Sequence, residues 1–423
     1  MNSSLLIPML KVGLVFALML AGIRFKLGIG LSILAGSLIL GLIFGLGPVD
    51  WMLTAVSALA DVQFVMLLII IEAIMIFSHL LETSGQSQKI MQTLSRHLKW
   101  ARLRLAFFPA LIGLLPMPGG AVFSAPMVKS ASKDFDLTPM DQALVNYWFR
   151  HLWELIWPMY PGLILAASLS GVSLLHFIGL TWPSFPLCIL LGWLFFLRPQ
   201  KTPLRSHSSP SASPDQDRGD WKDTLPLILA VGGTLLFEGV IWLAGLPLPP
   251  ELGFILALTL AIWACLNHNN ISVHTVWPLL IKKHFIQMLF TLVAIFVFKE
   301  TLDQGGIVQE LAQGTGSASA LILISVLLPL VVGLIAGLTL AYVGATFPLI
   351  VGILDHLGLE NRINYLVLAM FAGYAGVLGS PIHICFLLTC EFFNVNPFSA
   401  WLKILMPSAI FLAAGCIYFW ALA

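Results

Sequence analysis

Charge is scarce in this chain. Only 10% of its 423 residues are Asp, Glu, Lys or Arg, against 59% hydrophobic residues. A water-soluble fold needs a polar exterior, and this composition cannot supply one. Neither sign dominates: 21 basic residues face 20 acidic ones, a net charge of +1, so nucleic-acid binding has no footprint. The five cysteines, Cys188, Cys265, Cys385, Cys390 and Cys416, form no CxxC pair and no zinc spacing. They read as buried, reduced thiols, and no metal ligand set is expected from them. HExxH, GxSxG, Walker A and GxGxxG are all missing, so hydrolysis and nucleotide chemistry lack support and the chain reads as a non-enzyme without a cofactor. A basic leader region is missing too. The first apolar run, Val12 to Ile23, is followed by Arg24 and Lys26 instead of a small-residue cleavage site, so it reads as a retained span. Short alternating segments are also lacking, which excludes a β-barrel.

Helix-length apolar runs are what the chain has instead. A span needs about 20 mostly apolar residues, and candidates fall at 5–23, 28–47, 62–81, 104–128, 145–166, 174–197, 224–244, 251–266, 284–299, 318–354, 364–390 and 402–422. The 28 Phe and 13 Trp suit rings seated at bilayer interfaces. Residues 198–223 form a polar, Ser/Pro-rich linker between a first membrane half (1–197) and a second (224–423). Its basic excess places it on the cytoplasmic side. The same holds for Lys89, Arg96, Lys99, Arg102 and Arg104 in the stretch before 104, and for Lys282 and Lys283. The stretch 300–316 carries Glu300, Asp303 and Glu310 and belongs outside, with Lys299 at its edge. These assignments agree if 104–128 and 318–354 dip in and return. About ten crossings remain, five per half, with both termini outside.

The halves share spaced matches. Phe77, Leu81, Glu82 and Gly85 recur as Phe298, Leu302, Asp303 and Gly306; Gly120 to Phe123 recur as Gly344 to Phe347; Asn146-Tyr147 recur as Asn364-Tyr365. Charge places the segment after Phe77 inside and that after Phe298 outside. Equivalent elements then have opposite orientation, as in inverted-repeat transporters. The expected fold class is therefore an all-α polytopic membrane protein of two inverted-topology repeats, each with a re-entrant hairpin and a broken transmembrane helix.

Proline and glycine locate the breaks. Leu115 to Pro126 (LPMPGGAVFSAP) cannot continue a helix, and a second hairpin is expected to centre on Leu338 to Pro348. Interrupted helices follow each, at Asn146 to Gly162 and at Gly373 to His383. Freed backbone groups at such breaks face protein or a watery cavity and aim partial charges at a ligand. Ionisable groups at the same depth are costly and mark function. Arg150 matches a carboxylate fork, and read as a helix, Arg150 and Glu154 are i,i+4 neighbours that alternatively form a structural ion pair. His151, Glu154 and His383 are candidate carriers of a coupling proton or ion. Expected substrate-binding groups are Gly119, Gly120, Ser124, Asn146, Arg150, Gly344, Thr346, Asn364 and Ser380. His151 and Glu154 also match half of a di-metal motif, but the other membrane-depth acids are few, Glu72 and Glu238, so no metal centre is expected.

The segments PMPGGAVFSAP, NYWFRHLWELIWPMYPG and GVLGSPIHICFLLT resemble those of the prokaryotic membrane family called domain of unknown function 401, over about residues 10–420. The resemblance implies kinship with the ion-transporter superfamily, whose members include gluconate, citrate and dicarboxylate permeases. It further implies an elevator-type, often homodimeric, inner-membrane protein. The expected function is secondary transport of a small organic anion across the lipid bilayer, coupled to H+ or Na+. A non-transporting membrane scaffold that keeps the fold is the alternative. Ser124 and Thr346 are the nearest matches to a sodium-binding hairpin tip.

Overall fold

The computed structural model describes residues 3–95, 100–115, 120–198, 221–245, 249, 251–315 and 318–422, and these are helical almost throughout. Among them, nine helical stretches are long and apolar enough to cross a bilayer, so the chain is a multi-pass membrane protein. The Ser/Pro-rich linker (199–220) and the first hairpin's tip, including Gly119, lie outside the described residues.

The first half opens with α1 (Ser3–Arg24), α2 (Ile29–Ile43), α3 (Pro48–Leu59) and α4 (Val62–Thr83). The short α3 was not anticipated; Pro48 at its first turn and Asp50 just inside favour a helix start there. Asp61 then caps α4 by accepting a bond from the Gln63 backbone N–H at 2.9 Å. There follow the polar α5 (Gln86–Ser95), the paired α6 (Ala101–Gly113) and α7 (Ala121–Ala131), the interrupted pair α8 (Pro139–Arg150) and α9 (Pro161–Leu169), and the kinked pair α10 (Leu174–Thr181) and α11 (Ser184–Gly192). Thr138 and Asp141 close a capping box around Pro139, which fixes where α8 begins.

The second half has a similar order. After α12 (Leu225–Leu243), α13 (Glu251–His268) and the short α14 (Trp277–Leu280) come α15 (Lys283–Gln304) and α16 (Ile307–Thr315). A helical pair α17 (Ala318–Ala336) and α18 (Thr339–His356) precedes an interrupted pair α19 (Arg362–Leu378) and α20 (Ile384–Phe393), and α21 (Pro397–Leu422) ends the chain. One of the three sequence matches occupies corresponding places in this order. Gly85 and Gly306, with φ of 72° and 63°, each turn the chain from a long helix into a short amphipathic one, and Phe77, Leu81, Phe298 and Leu302 are all fully buried just before those turns. The other two matches do not correspond. Gly120 begins α7, whereas Gly344 lies inside α18; Asn146-Tyr147 close α8, whereas Asn364-Tyr365 open α19. The second hairpin also turns earlier than expected, at Gly337-Leu338, where Gly337 takes a left-handed φ of 63° that a side chain would strain.

Packing divides the helices into two groups. α2 and α3 pack on α15, and α4 packs on α13, which pairs with α12. The hairpins, interrupted pairs and α21 pack mainly on one another, with α17 against α19 the most extensive contact and α9 lying along α18. The sequence halves therefore interlock and do not form separate bodies. Small residues set the closest approach: a Cβ on Gly333 would overlap the Gly373 carbonyl, and one on Gly376 would overlap the Leu330 carbonyl. Gly376→Leu is expected to separate α17 from α19 and to lower the melting temperature of the solubilised protein sharply, since overpacking alone costs about 1–3 kcal/mol. Gly239→Leu, at a position on α12 with nothing within 4 Å, is expected to leave the melting temperature near that of the parent.

Candidate functional site

The two helix interruptions meet. α8 stops at Arg150 and the chain turns irregularly to Tyr160; α19 stops at Leu378 and the chain turns to His383. Each stop leaves carbonyls without an in-helix partner. Two tyrosines resolve this reciprocally. Tyr147, near the end of α8, donates its O–H to the Leu378 carbonyl at 2.9 Å, and Tyr374, near the end of α19, donates to the His151 carbonyl. Trp401 adds a bond to the Gly379 carbonyl at 2.8 Å. Within the first interruption, Trp153 and Tyr160 donate to the last carbonyls of α6, Ala110 at 2.7 Å and Gly113 at 2.6 Å, and Thr181 donates to Leu155. The aromatic density of residues 146–162 thus has a structural cause: these rings fill apolar space while their N–H and O–H groups meet carbonyls that lipid cannot satisfy.

A cavity of about 400 Å³ opens where the interruptions cross. Arg150, His151, Glu154 and Tyr160 come from the first, and Ile382, His383 and Cys385 from the second. The hairpin turn Gly337 to Leu340 forms a third side, and His284, Gln287, Met288 and Thr291 of α15 the fourth. The cavity therefore lies between the two packing groups. Three helices start at its wall: α9 with Pro161 and Gly162, α18 with Thr339 and Leu340, and α20 with Ile384 and Cys385. The N-terminal ends of these helices, with their aligned peptide dipoles, add positive potential to this wall.

Inside the cavity His151 is held by its Nδ1, 2.6 Å from the Tyr147 carbonyl. Its Nε2 lies 3.2 Å from Nε2 of His383 and 3.8 Å from Oε1 of Glu154. The second Glu154 oxygen accepts a bond from the Thr339 hydroxyl. The Arg150 guanidinium sits so close to Gly120 that a Cβ there would overlap it. Arg150, His151, Glu154 and His383 are all buried, and the cavity is their shared outlet.

Of the expected residues, the structure gathers Arg150, His151, Glu154 and His383 at the cavity, with Gly120 against Arg150 and Ser380 against the Gly337 turn. The helical i,i+4 relation of Arg150 and Glu154 does not hold, because α8 ends at Arg150 and Glu154 lies beyond it. Ser124 turns back onto its own helix, bonding the Ala121 carbonyl at 3.2 Å. Asn146 ties α7 to α20 through the Ala121 carbonyl and Thr389. Gly344 packs on Ile295 and Thr346 bonds the Tyr342 carbonyl within α18, away from the cavity. Asn364 is distant, bonding the Leu422 carbonyl at 2.9 Å. Sequence reasoning missed Thr339, Tyr374 and Cys385. The only signals were a polar residue beside a glycine turn, a tyrosine just before a Gly/Pro break, and a His-x-Cys pair following Pro381.

The fold and cavity define a class: a multi-pass helical membrane protein whose paired helix interruptions enclose ionisable side chains. The chain belongs to the family described as protein of unknown function (DUF401), whose profile matches residues 3–422. No curated protein matches it significantly. Because Tyr147 and Tyr374 each satisfy a buried carbonyl, Tyr147→Phe and Tyr374→Phe should each destabilise the fold by about 1–3 kcal/mol, read as a lower melting temperature in detergent.

Proposed function

We propose that this protein is a secondary active transporter of a small organic anion, coupled to H+ or Na+, built from two inverted repeats in a prokaryotic inner membrane. The observation that carries the reading is the convergence of three helix starts and Arg150 on one buried cavity. Such a wall attracts a carboxylate, because partial positive charges from the backbone and the guanidinium fork face it together. His151, Glu154 and His383 in the same cavity supply groups that exchange a proton or ion as the anion enters and leaves.

Topology supports the reading. α6 and α7, of 13 and 11 residues, extend roughly 20 and 17 Å at 1.5 Å per residue. That is short of the ~30 Å hydrocarbon core. α17 and α18, of 19 and 18 residues, are long enough to span. With α6–α7 re-entering from the cytoplasmic side and, on the charge assignment alone, α17–α18 from the other, ten crossings remain: α1, α2, α4, α8–α9, α10–α11, α12, α13, α15, α19–α20 and α21. The start of α15, next to Lys282 and Lys283, is then cytoplasmic, and the cavity reaches it at His284. This is an inward-facing arrangement. The packing group that holds both hairpins and both interruptions is the candidate moving body, and α1–α4, α12, α13 and α15 are the candidate support.

Purified protein should gain thermal stability with one or more members of a panel of small carboxylates, in the presence or absence of Na+, as binding to the folded state requires. Arg150→Ala should abolish that shift, and proteoliposome uptake of the same carboxylate, while the solubilised protein elutes as one peak. Wild-type-like uptake by Arg150→Ala would remove the guanidinium from the site. Cysteines placed in α5 and α16 should react with impermeant maleimide from opposite faces of the membrane. Labelling from the same face would end the inverted-repeat account.

A further inference from the structure

We propose that His151, His383 and Cys385 form a binding site for a thiophilic divalent cation of the zinc type. The proposal goes beyond the transport reading and does not depend on it. Its basis is an arrangement of lone pairs. His151 Nδ1 faces the Tyr147 carbonyl at 2.6 Å, and a carbonyl only accepts, so Nδ1 carries the hydrogen and the lone pair sits on Nε2. His383 Nδ1 faces the Val377 carbonyl and the Tyr147 hydroxyl oxygen, each at 3.4 Å. Tyr147 commits its own hydrogen to the Leu378 carbonyl, so both neighbours accept, and His383 also carries its hydrogen on Nδ1. Two Nε2 lone pairs therefore confront each other at 3.2 Å. Two neutral imidazoles repel in that pose; an electrophile shared between them removes the conflict.

The third donor decides which electrophile. One ring nitrogen from each of His151 and His383 and Sγ of Cys385 all lie within 4.8 Å of one another, and all three residues are buried. Zinc binds imidazole nitrogen at about 2.0–2.1 Å and thiolate at about 2.3 Å, so tetrahedral ligand atoms stand about 3.3–3.7 Å apart. The 3.2 Å separation of the two Nε2 atoms already matches, and the sulfur completes the set after a small side-chain adjustment. Nitrogen and sulfur donors select zinc over magnesium or calcium, which demand oxygen shells. Cys385 lies in the first turn of α20, on the cavity wall. Both histidines are fixed through Nδ1 to backbone carbonyls, the outer-shell arrangement that orients metal-binding imidazoles. All three residues line the cavity, so the fourth position opens onto it, with Glu154 Oε1 at 3.8 Å from His151 Nε2. A divalent cation is offset by the Cys385 thiolate that ligates it and by Glu154 in the same cavity, and the Arg150 charge remains over.

Equilibrium dialysis of chelator-treated, full-length protein in detergent against Zn2+ tests the site. One saturable Zn2+ per chain is expected, and Cys385→Ser and His383→Gln should each weaken it more than about 100-fold. Cys390→Ser, a buried thiol of the same helix outside the cluster, should leave it unchanged. Co2+ in place of Zn2+ should give the near-ultraviolet thiolate-to-cobalt band in the wild-type protein, which decides the matter even if a variant fails to fold. No saturable binding, binding that survives both ligand changes, or a cobalt spectrum without the thiolate band would overturn the proposal. Metal binding is read without transport, so its failure is separate from a failure of uptake.

Discussion

A carbonyl released where a helix stops in the membrane interior has no water to bond, and the centre of this protein is organised around that constraint. The exchange between Tyr147 and Tyr374 is its clearest expression: each belongs to one interrupted helix and satisfies the end of the other. Neither interruption is self-sufficient. Trp401, Trp153, Tyr160 and Thr181 extend the same service to the surrounding carbonyls. Once these bonds are made, the positions of Arg150, His151, Glu154 and His383 follow, because each lies at or next to an end that a donor pins. The site's geometry is thus inherited from the need to pair backbone groups, and its chemistry is added by side chains that the breaks happen to aim inward.

The membrane class and both helix interruptions were legible because Pro and Gly act locally: Pro158 and Pro161 prevent one continuous helix through the first interruption, and Gly379 and Pro381 follow the end of α19. Arg150, His151, Glu154 and His383 were legible as candidates, and as neighbours of a cavity, because an ionisable group in an apolar stretch is costly unless a cavity or a charged partner receives it. The hairpin turn was misplaced toward Pro348. A proline with a full turn of helix before it can be carried inside α18, whereas Gly337 supplies the left-handed residue a two-residue turn needs. Gly344 and Thr346 accordingly lie inside α18 and not at its turn.

Other features had no local signal. In a soluble helix the apolar stripe shows which face packs, but lipid and protein interior are equally apolar, so α17 and α19 look alike on all sides until Gly333 meets the Gly373 backbone. The chain matches at Gly344 and Asn364 were short words of a restricted alphabet; the correspondence at Gly85 and Gly306 also carries a shared backbone angle. The neighbourhood of Cys385 was invisible for a different reason: its partners lie 2 and 234 residues away in sequence, and no spacing rule links positions that only the crossing of two breaks brings together.

The three helix starts at the cavity have a lasting effect on how the molecule can change. Main-chain dipoles survive every substitution that preserves the fold, so the backbone's share of this chamber's polarity is not open to point mutation in the way its size and shape are. Exchanging Thr339, Ile382 or Met288 re-contours the walls while the background field stays put. Divergence that keeps the fold is therefore expected to reshape this chamber more readily than to change its backbone field.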